Sequence, residues 1–134
     1  MKIYFAGAIR GGRERADLYP LINELLERYG EVLDKHVSDP NVNNLEQNKS
    51  FEVIYTRDIN WIKECDLLVA EVSTPSLGVG YEISYAENLG KRIVCLCDES
   101  VRVSAMIGGN NNLELIYYKN QEELITKLES KLKD

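Results

Sequence analysis

The segment Ser73-Thr74-Pro75-Ser76-Leu77-Gly78-Val79-Gly80-Tyr81-Glu82 places hydroxyls and glycines directly after an apolar run, with a carboxylate where a helical pattern begins. A glutamate in the first turn of a helix faces positive dipole density, which favours its ionised form. Held beside a ligand loop, an ionised Glu82 is a candidate nucleophile. The commoner role of such a residue is to stabilise the helix start. Ser76 is either a donor to a ligand or a turn residue. A second loop, Gly7-Ala8-Ile9-Arg10-Gly11-Gly12-Arg13, also follows an apolar run. Its glycines allow close backbone approach, the next helix start offers free amides to an anion, and Arg10 and Arg13 supply cations for phosphate. It lacks the Gly-Lys-Ser/Thr ending of a Walker loop and the glycine spacing of a dinucleotide fingerprint. A plain strand-to-helix turn with solvated arginines is the alternative.

Asp58, within Tyr55-Thr56-Arg57-Asp58-Ile59-Asn60-Trp61, is a second carboxylate, although an aspartate in such a context is usually solvated. His36 is the only histidine and opens a polar segment. No second metal ligand stands near it, so neither a metal nor a cofactor is expected.

These residues need a scaffold, and the apolar pattern describes one. Ile3 to Ala6, Glu31 to Leu33, Asp66 to Val72, Arg92 to Cys97 and Leu113 to Tyr118 read as strands. Helical spacing runs from about Glu14 to Tyr29, from Phe51 to Cys65, from Gly80 to Leu89 and from Gln121 to Leu132, while His36 to Ser50 reads as a long loop. This alternation predicts an α/β fold, a doubly wound, mostly parallel five-stranded sheet with helices on both faces. Ligands of such sheets bind at the carboxyl ends of the strands where chain order reverses, which is where the glycine- and serine-rich loops fall.

Composition sets the outer bounds. The 134 residues suit a single domain spanning 1–134. A formal charge of −6 disfavours a nucleic-acid polymer as partner. No apolar stretch approaches a membrane span, and the first residues run straight into a strand pattern, leaving no room for a signal peptide. Cys65, Cys95 and Cys97 lack metal-finger spacing and read as reduced, small hydrophobes, which implies a cytoplasmic setting.

Three segments carry a further implication: Tyr4-Phe5-Ala6-Gly7-Ala8-Ile9-Arg10-Gly11-Gly12-Arg13, Ala70-Glu71-Val72-Ser73-Thr74-Pro75-Ser76-Leu77-Gly78-Val79-Gly80-Tyr81-Glu82 and Ser104-Ala105-Met106-Ile107. In order and spacing they closely resemble the 2′-deoxynucleoside 5′-phosphate N-hydrolases, a branch of the nucleoside 2-deoxyribosyltransferase superfamily. The likeness covers nearly the whole chain and is weakest from Val37 to Ser50. It implies release of a free base and 2-deoxyribose 5-phosphate through a covalent glycosyl-glutamate. Glu82 falls on the family's nucleophile, Asp58 on its second carboxylate, and Tyr4 on a tyrosine that orients the nucleophile. Gly7, Ile9, Arg10, Gly11, Ser76 and Gly78 fall on positions lining the nucleotide pocket, and His36 on a histidine near the base. Ser104 and Met106 match a segment that reaches the neighbouring subunit's site, which implies a homodimer. Ala8 and Gly108 depart from the serine and arginine of the hydrolases.

The transferase branch usually carries aspartate six residues before the nucleophile, where it binds a free 5′-hydroxyl. Ser76 at that position removes repulsion against a 5′-phosphate and favours the hydrolase reading. A base-exchanging deoxyribosyltransferase and a non-catalytic nucleotide-binding module are the alternatives.

Overall fold

The computed structural model describes residues 1–8 and 15–134, with the backbone alone for 43–45. Five short apolar runs become the strands β1 (Lys2–Ala6), β2 (Glu31–Val32), β3 (Leu67–Glu71), β4 (Arg92–Asp98) and β5 (Glu114–Tyr118). They form one sheet in the order β2-β1-β3-β4-β5. Every neighbouring pair is parallel, so the sheet exceeds the expectation of a mostly parallel one. The helices are α1 (Tyr19–Glu27), α2 (Val42–Gln47), α3 (Phe51–Glu64), α4 (Leu77–Asn88), α5 (Ala105–Gly108) and α6 (Gln121–Leu132).

Side-chain alternation along the strands splits the core into two layers. Ile3, Phe5, Val69, Leu96 and Ile116 pack beneath α1 and α6 against Ile22, Leu26, Leu124 and Leu128. Tyr4, Ala6, Leu68, Ala70 and Cys95 face the other way, onto Ile62 of α3 and Val79, Ile83 and Ala86 of α4. A strand covered on both faces has no polar side to show, which is why β3 is buried at every position.

Three boundaries differ from the sequence expectation. α1 starts at Tyr19, after a 3-10 turn at Ala16–Leu18, because Pro20 has no N–H to give and belongs in a first turn. The polar segment from His36 holds a 3-10 turn (Lys35–Ser38) and the short α2. Most consequentially, α4 starts at Leu77 rather than Gly80. Ser76 caps it, its Oγ accepting from Val79 N at 3.2 Å. A capping hydroxyl outweighs the weak helix propensity of Gly78 and Gly80.

The chain leaves β1 for β2 on one side, then crosses to β3 on the other. β1 and β3 therefore border the point where strand order reverses, and their carboxyl ends open a crevice there.

Candidate active site

Tyr4 of β1, Asp58 of α3 and Glu82 of α4 converge beside that crevice. The Tyr4 hydroxyl donates to Glu82 Oε2. Because α4 begins at Leu77, Glu82 occupies the second turn, beyond the first-turn amides whose dipole was expected to ionise it. Burial dominates instead and pushes the Glu82 carboxyl up to about 8; the Tyr4 hydrogen bond pulls down, the nearby Asp58 charge pushes further up, and Arg57 opposes it. Its charged form is thus held back, a correction to the expectation of a readily ionised glutamate.

Asp58 is half-buried rather than solvated. Burial raises its carboxyl above the ordinary range, and the Arg57 hydrogen bond and charge work against that. Arg57 Nε donates to Asp58 Oδ1 at 2.9 Å, its Nη2 donates to Glu46 Oε1 at 2.8 Å, and its guanidinium lies 5.0 Å from the centre of the Trp61 ring. His36 Nε2 meets the same Glu46 Oε1 at 2.8 Å. Burial, then Arg57, lowers the His36 ring to about 4, with Glu46 opposing. His36 is therefore neutral near pH 7 and supports Glu46, while the cavity wall itself is formed by Glu46.

The cavity has a volume of about 770 Å³. Gly7, Ser76, Gly78 and Glu82 line it, together with Glu46, Asp58 and the apolar side chains of Phe51, Ile54 and Tyr55. Glycine at position 7 is demanded by packing, because a Cβ there would meet the Tyr19 ring at 2.8 Å. At Gly78 the nearest atom to such a Cβ is Ser76 Oγ, 3.9 Å away. The open side of Gly78 therefore belongs to the cavity.

The loop between β3 and α4 is held from beneath. Glu71 ends β3 almost wholly buried, accepting from Ser73 N at 2.8 Å, Ser73 Oγ at 2.9 Å and the Tyr118 hydroxyl at 2.6 Å. Ser73 Oγ in turn accepts from Asp98 N at 2.8 Å, which ties the loop to the end of β4. Sequence reasoning missed this network, whose signal is a lone glutamate closing an otherwise apolar strand. It also missed Glu46, inside the polar segment, and Asp34, fully buried with Oδ1 accepting from Phe5 N at 2.8 Å. Burial drives the Asp34 carboxyl well above its usual range.

Of the residues singled out from sequence, Tyr4, Gly7, Asp58, Ser76, Gly78 and Glu82 come together. Ile9, Arg10 and Gly11 lie outside the described residues. Ser104 and Met106 line a second cavity of about 600 Å³, which shares Ser76, Leu77 and Val79 with the first. Ser104 caps α5, accepting from Met106 N at 3.2 Å. The three cysteines are buried and free, and burial pushes the Cys65 and Cys95 thiols up to about 11 and about 12. Among the described residues no His, Cys, Asp and Glu cluster has metal-binding geometry, and no helix is long and apolar enough to cross a membrane.

The parallel sheet with Asp58 and Glu82 gathered at its reversal point defines an α/β protein with a paired-carboxylate site. Residues 3–126 match the family described as nucleoside 2-deoxyribosyltransferase, and this chain belongs to that family. The 5-hydroxymethyl-dUMP N-hydrolase of Rattus norvegicus is 49% identical over 111 residues, covering 80% of this chain and 68% of the rat protein. Among solved structures, a CMP N-glycosidase of Clostridium botulinum is 28% identical with a TM-score of 0.69, over 97% of this chain and 99% of that one. A 2-deoxyribosyltransferase of Bacillus psychrosaccharolyticus shares the fold at 20% identity, with a TM-score of 0.70 over 98% and 96% of the two chains.

Proposed function

We propose that the chain is an N-glycosidase that hydrolyses 2′-deoxynucleoside 5′-monophosphates to free base and 2-deoxyribose 5-phosphate. The observation that carries this reading is the hydrogen bond from Tyr4 to Glu82, next to Asp58, in the wall of a cavity large enough for a nucleotide. In the first step a Glu82 oxygen bonds to C1′, the C1′–N bond breaks, and its electron pair leaves with the base. Asp58, carrying a proton, delivers it to the departing nitrogen. Water then attacks C1′, the Glu82–C1′ bond breaks, and Asp58 takes the water's proton back. Asp58 thus gives one proton to the base and regains one from water, which its raised carboxyl suits, while Glu82 acts as the anion.

The phosphate is best placed at Ser76, Gly78 and the amino end of α4, where backbone amides and the helix dipole favour an anion. Ser76 Oγ accepts from Val79 N, so its proton remains available for a ligand oxygen. Tyr4 orients Glu82. Incubation with the four deoxynucleoside monophosphates, their ribo counterparts and their dephosphorylated forms tests the reading. Base released from deoxy monophosphates alone is the expected result. Release from nucleosides, trapped as new nucleosides by excess free base, would replace it with a transferase.

Ser76→Asp separates the two activities cleanly, because aspartate caps a helix as well as serine does. Placing an anion beside the phosphate should lower kcat/KM for monophosphates about a hundredfold, as expected of a like-charge contact costing several kcal/mol. Turnover of unphosphorylated nucleosides should rise relative to it; an unchanged ratio would sink the phosphate assignment.

A homodimer completes the reading, with Ser104 and Met106 serving the neighbouring site. Leu77, 97% exposed, and Met106, 82% exposed, stand at the rim of the second cavity, and Phe51, Tyr55 and Tyr81 are exposed around the first. Large apolar side chains left in water around a site mark a surface that another chain covers. Sedimentation should give twice the 15.3 kDa of the chain. The buried thiols and the deoxynucleotide substrate fit a reducing cytoplasm.

A further inference from the structure

Glu46 is buried, yet only half of its carboxylate is accounted for. Oε1 takes both Arg57 Nη2 and His36 Nε2, each at 2.8 Å. Oε2 is shielded from bulk water and has no hydrogen-bond partner among the described residues. Anchoring α2 onto α3 explains Oε1 alone. Buried carboxylate oxygens are normally satisfied, so the idle one calls for a donor that the described residues do not supply.

The position of Glu46 identifies the source of that donor. It lines the cavity with Asp58, Phe51, Ile54 and Tyr55 of α3, whereas Ser76 and Gly78 come from the start of α4. A carboxylate repels phosphate, so the phosphate belongs with Ser76 and the α4 amides. Aromatic and aliphatic side chains suit the flat, weakly polar faces of a base. An anion set among them discriminates between base edges, because it accepts hydrogen bonds and is repelled by carbonyl oxygens.

We infer that Glu46 Oε2 is the group that reads the base, selecting bases that carry an exocyclic N–H or O–H donor over those that present a carbonyl or methyl group there. This rests on the hydrolase reading above. It makes the ligand class an amino-bearing base, such as cytosine or adenine, or a hydroxymethylated one. Arg57 and His36 act as positioning residues, fixing the Glu46 rotamer through Oε1.

The test uses three matched pairs of monophosphates, each differing in one exocyclic donor: dCMP with dUMP, dAMP with dIMP, and 5-hydroxymethyl-dUMP with dTMP. Wild-type enzyme should favour the donor-bearing member of at least one pair by about tenfold or more in kcat/KM. In Glu46→Gln the amide must turn its oxygen to Arg57, which only donates, leaving NH2 where Oε2 stood. The preference should then fall below one for the amine–carbonyl pairs and to about one for the hydroxymethyl pair. Glu46→Asp keeps the charge and withdraws it by one methylene, so it should lose the preference without inverting it. Wild-type ratios near or below one in all three pairs, or ratios that neither substitution moves, would overturn the inference while leaving the hydrolase reading intact. Release of no base from any of the six would remove both together.

Discussion

Glu82→Gln is expected to lower base release from a deoxynucleoside monophosphate by at least about a thousandfold, equivalent to about 4 kcal/mol of transition-state stabilisation. The amide has nearly the shape of the carboxylate and still offers an oxygen to the Tyr4 hydroxyl, so packing around the site is preserved. What disappears is the anion that forms the bond to C1′. Nucleotide binding, followed by calorimetry with a slowly hydrolysed monophosphate, should persist with little change. That split distinguishes a nucleophile from a helix-stabilising glutamate, whose loss would cost stability and leave turnover in proportion to folded protein. It also distinguishes an enzyme from a binding module, in which the substitution would affect nothing but affinity. Residual activity above a tenth of wild type would refute the covalent mechanism.

The pH profile of kcat/KM should rise about tenfold per unit below about 8 and then level, because attack needs Glu82 ionised and burial holds its proton up to about 8. The sign follows from the group: a carboxyl with a raised value is uncharged, and inert, over the interval in which an ordinary glutamate would already be ionised. The second ionisation of phosphate monoesters is centred near pH 6 and mostly complete by 7, so a tenfold rise from 7 to 8 reports the enzyme. Tyr4→Phe removes the hydrogen bond that pulls the Glu82 value down, so the limb should move to higher pH and activity at pH 7 should fall. A Tyr4 variant that lost activity equally at every pH would show that the hydroxyl positions the carboxylate without tuning its charge. A flat profile between 6 and 8 would mean that Glu82 is ionised in the free enzyme. Asp58 must keep a proton for the base, which burial favours and the Arg57 hydrogen bond and charge oppose.

The free-enzyme proton distribution gives these two results a common cause. Burial favours the proton on Glu82 and raises Asp58 as well, while Arg57 opposes the rise at both carboxyls. The productive arrangement is the one with Glu82 charged and the proton on Asp58.

Short apolar runs and helical spacing were enough to specify the parallel α/β sheet, since a strand without a polar face must be covered on both sides. The order of loops around the reversal point followed from connectivity, and with it the meeting of Tyr4, Gly7, Asp58, Ser76 and Glu82. Local pattern misjudged the start of α4, because a serine cap acts through one hydrogen bond that periodicity cannot register. That error moved Glu82 from the first turn to the second and replaced an ionising dipole with a dominating burial. The polar segment from His36 to Ser50 read as loop, yet its short α2 delivers Glu46 to the cavity, held by an ion pair with Arg57 and a contact with neutral His36. Residue types and their order, then, determined the sheet, the loops and the candidate chemistry. Protonation, the partners of each carboxylate and the wall facing the base were decided only by the tertiary structure, because desolvation and charge coupling depend on distances between residues far apart in the chain.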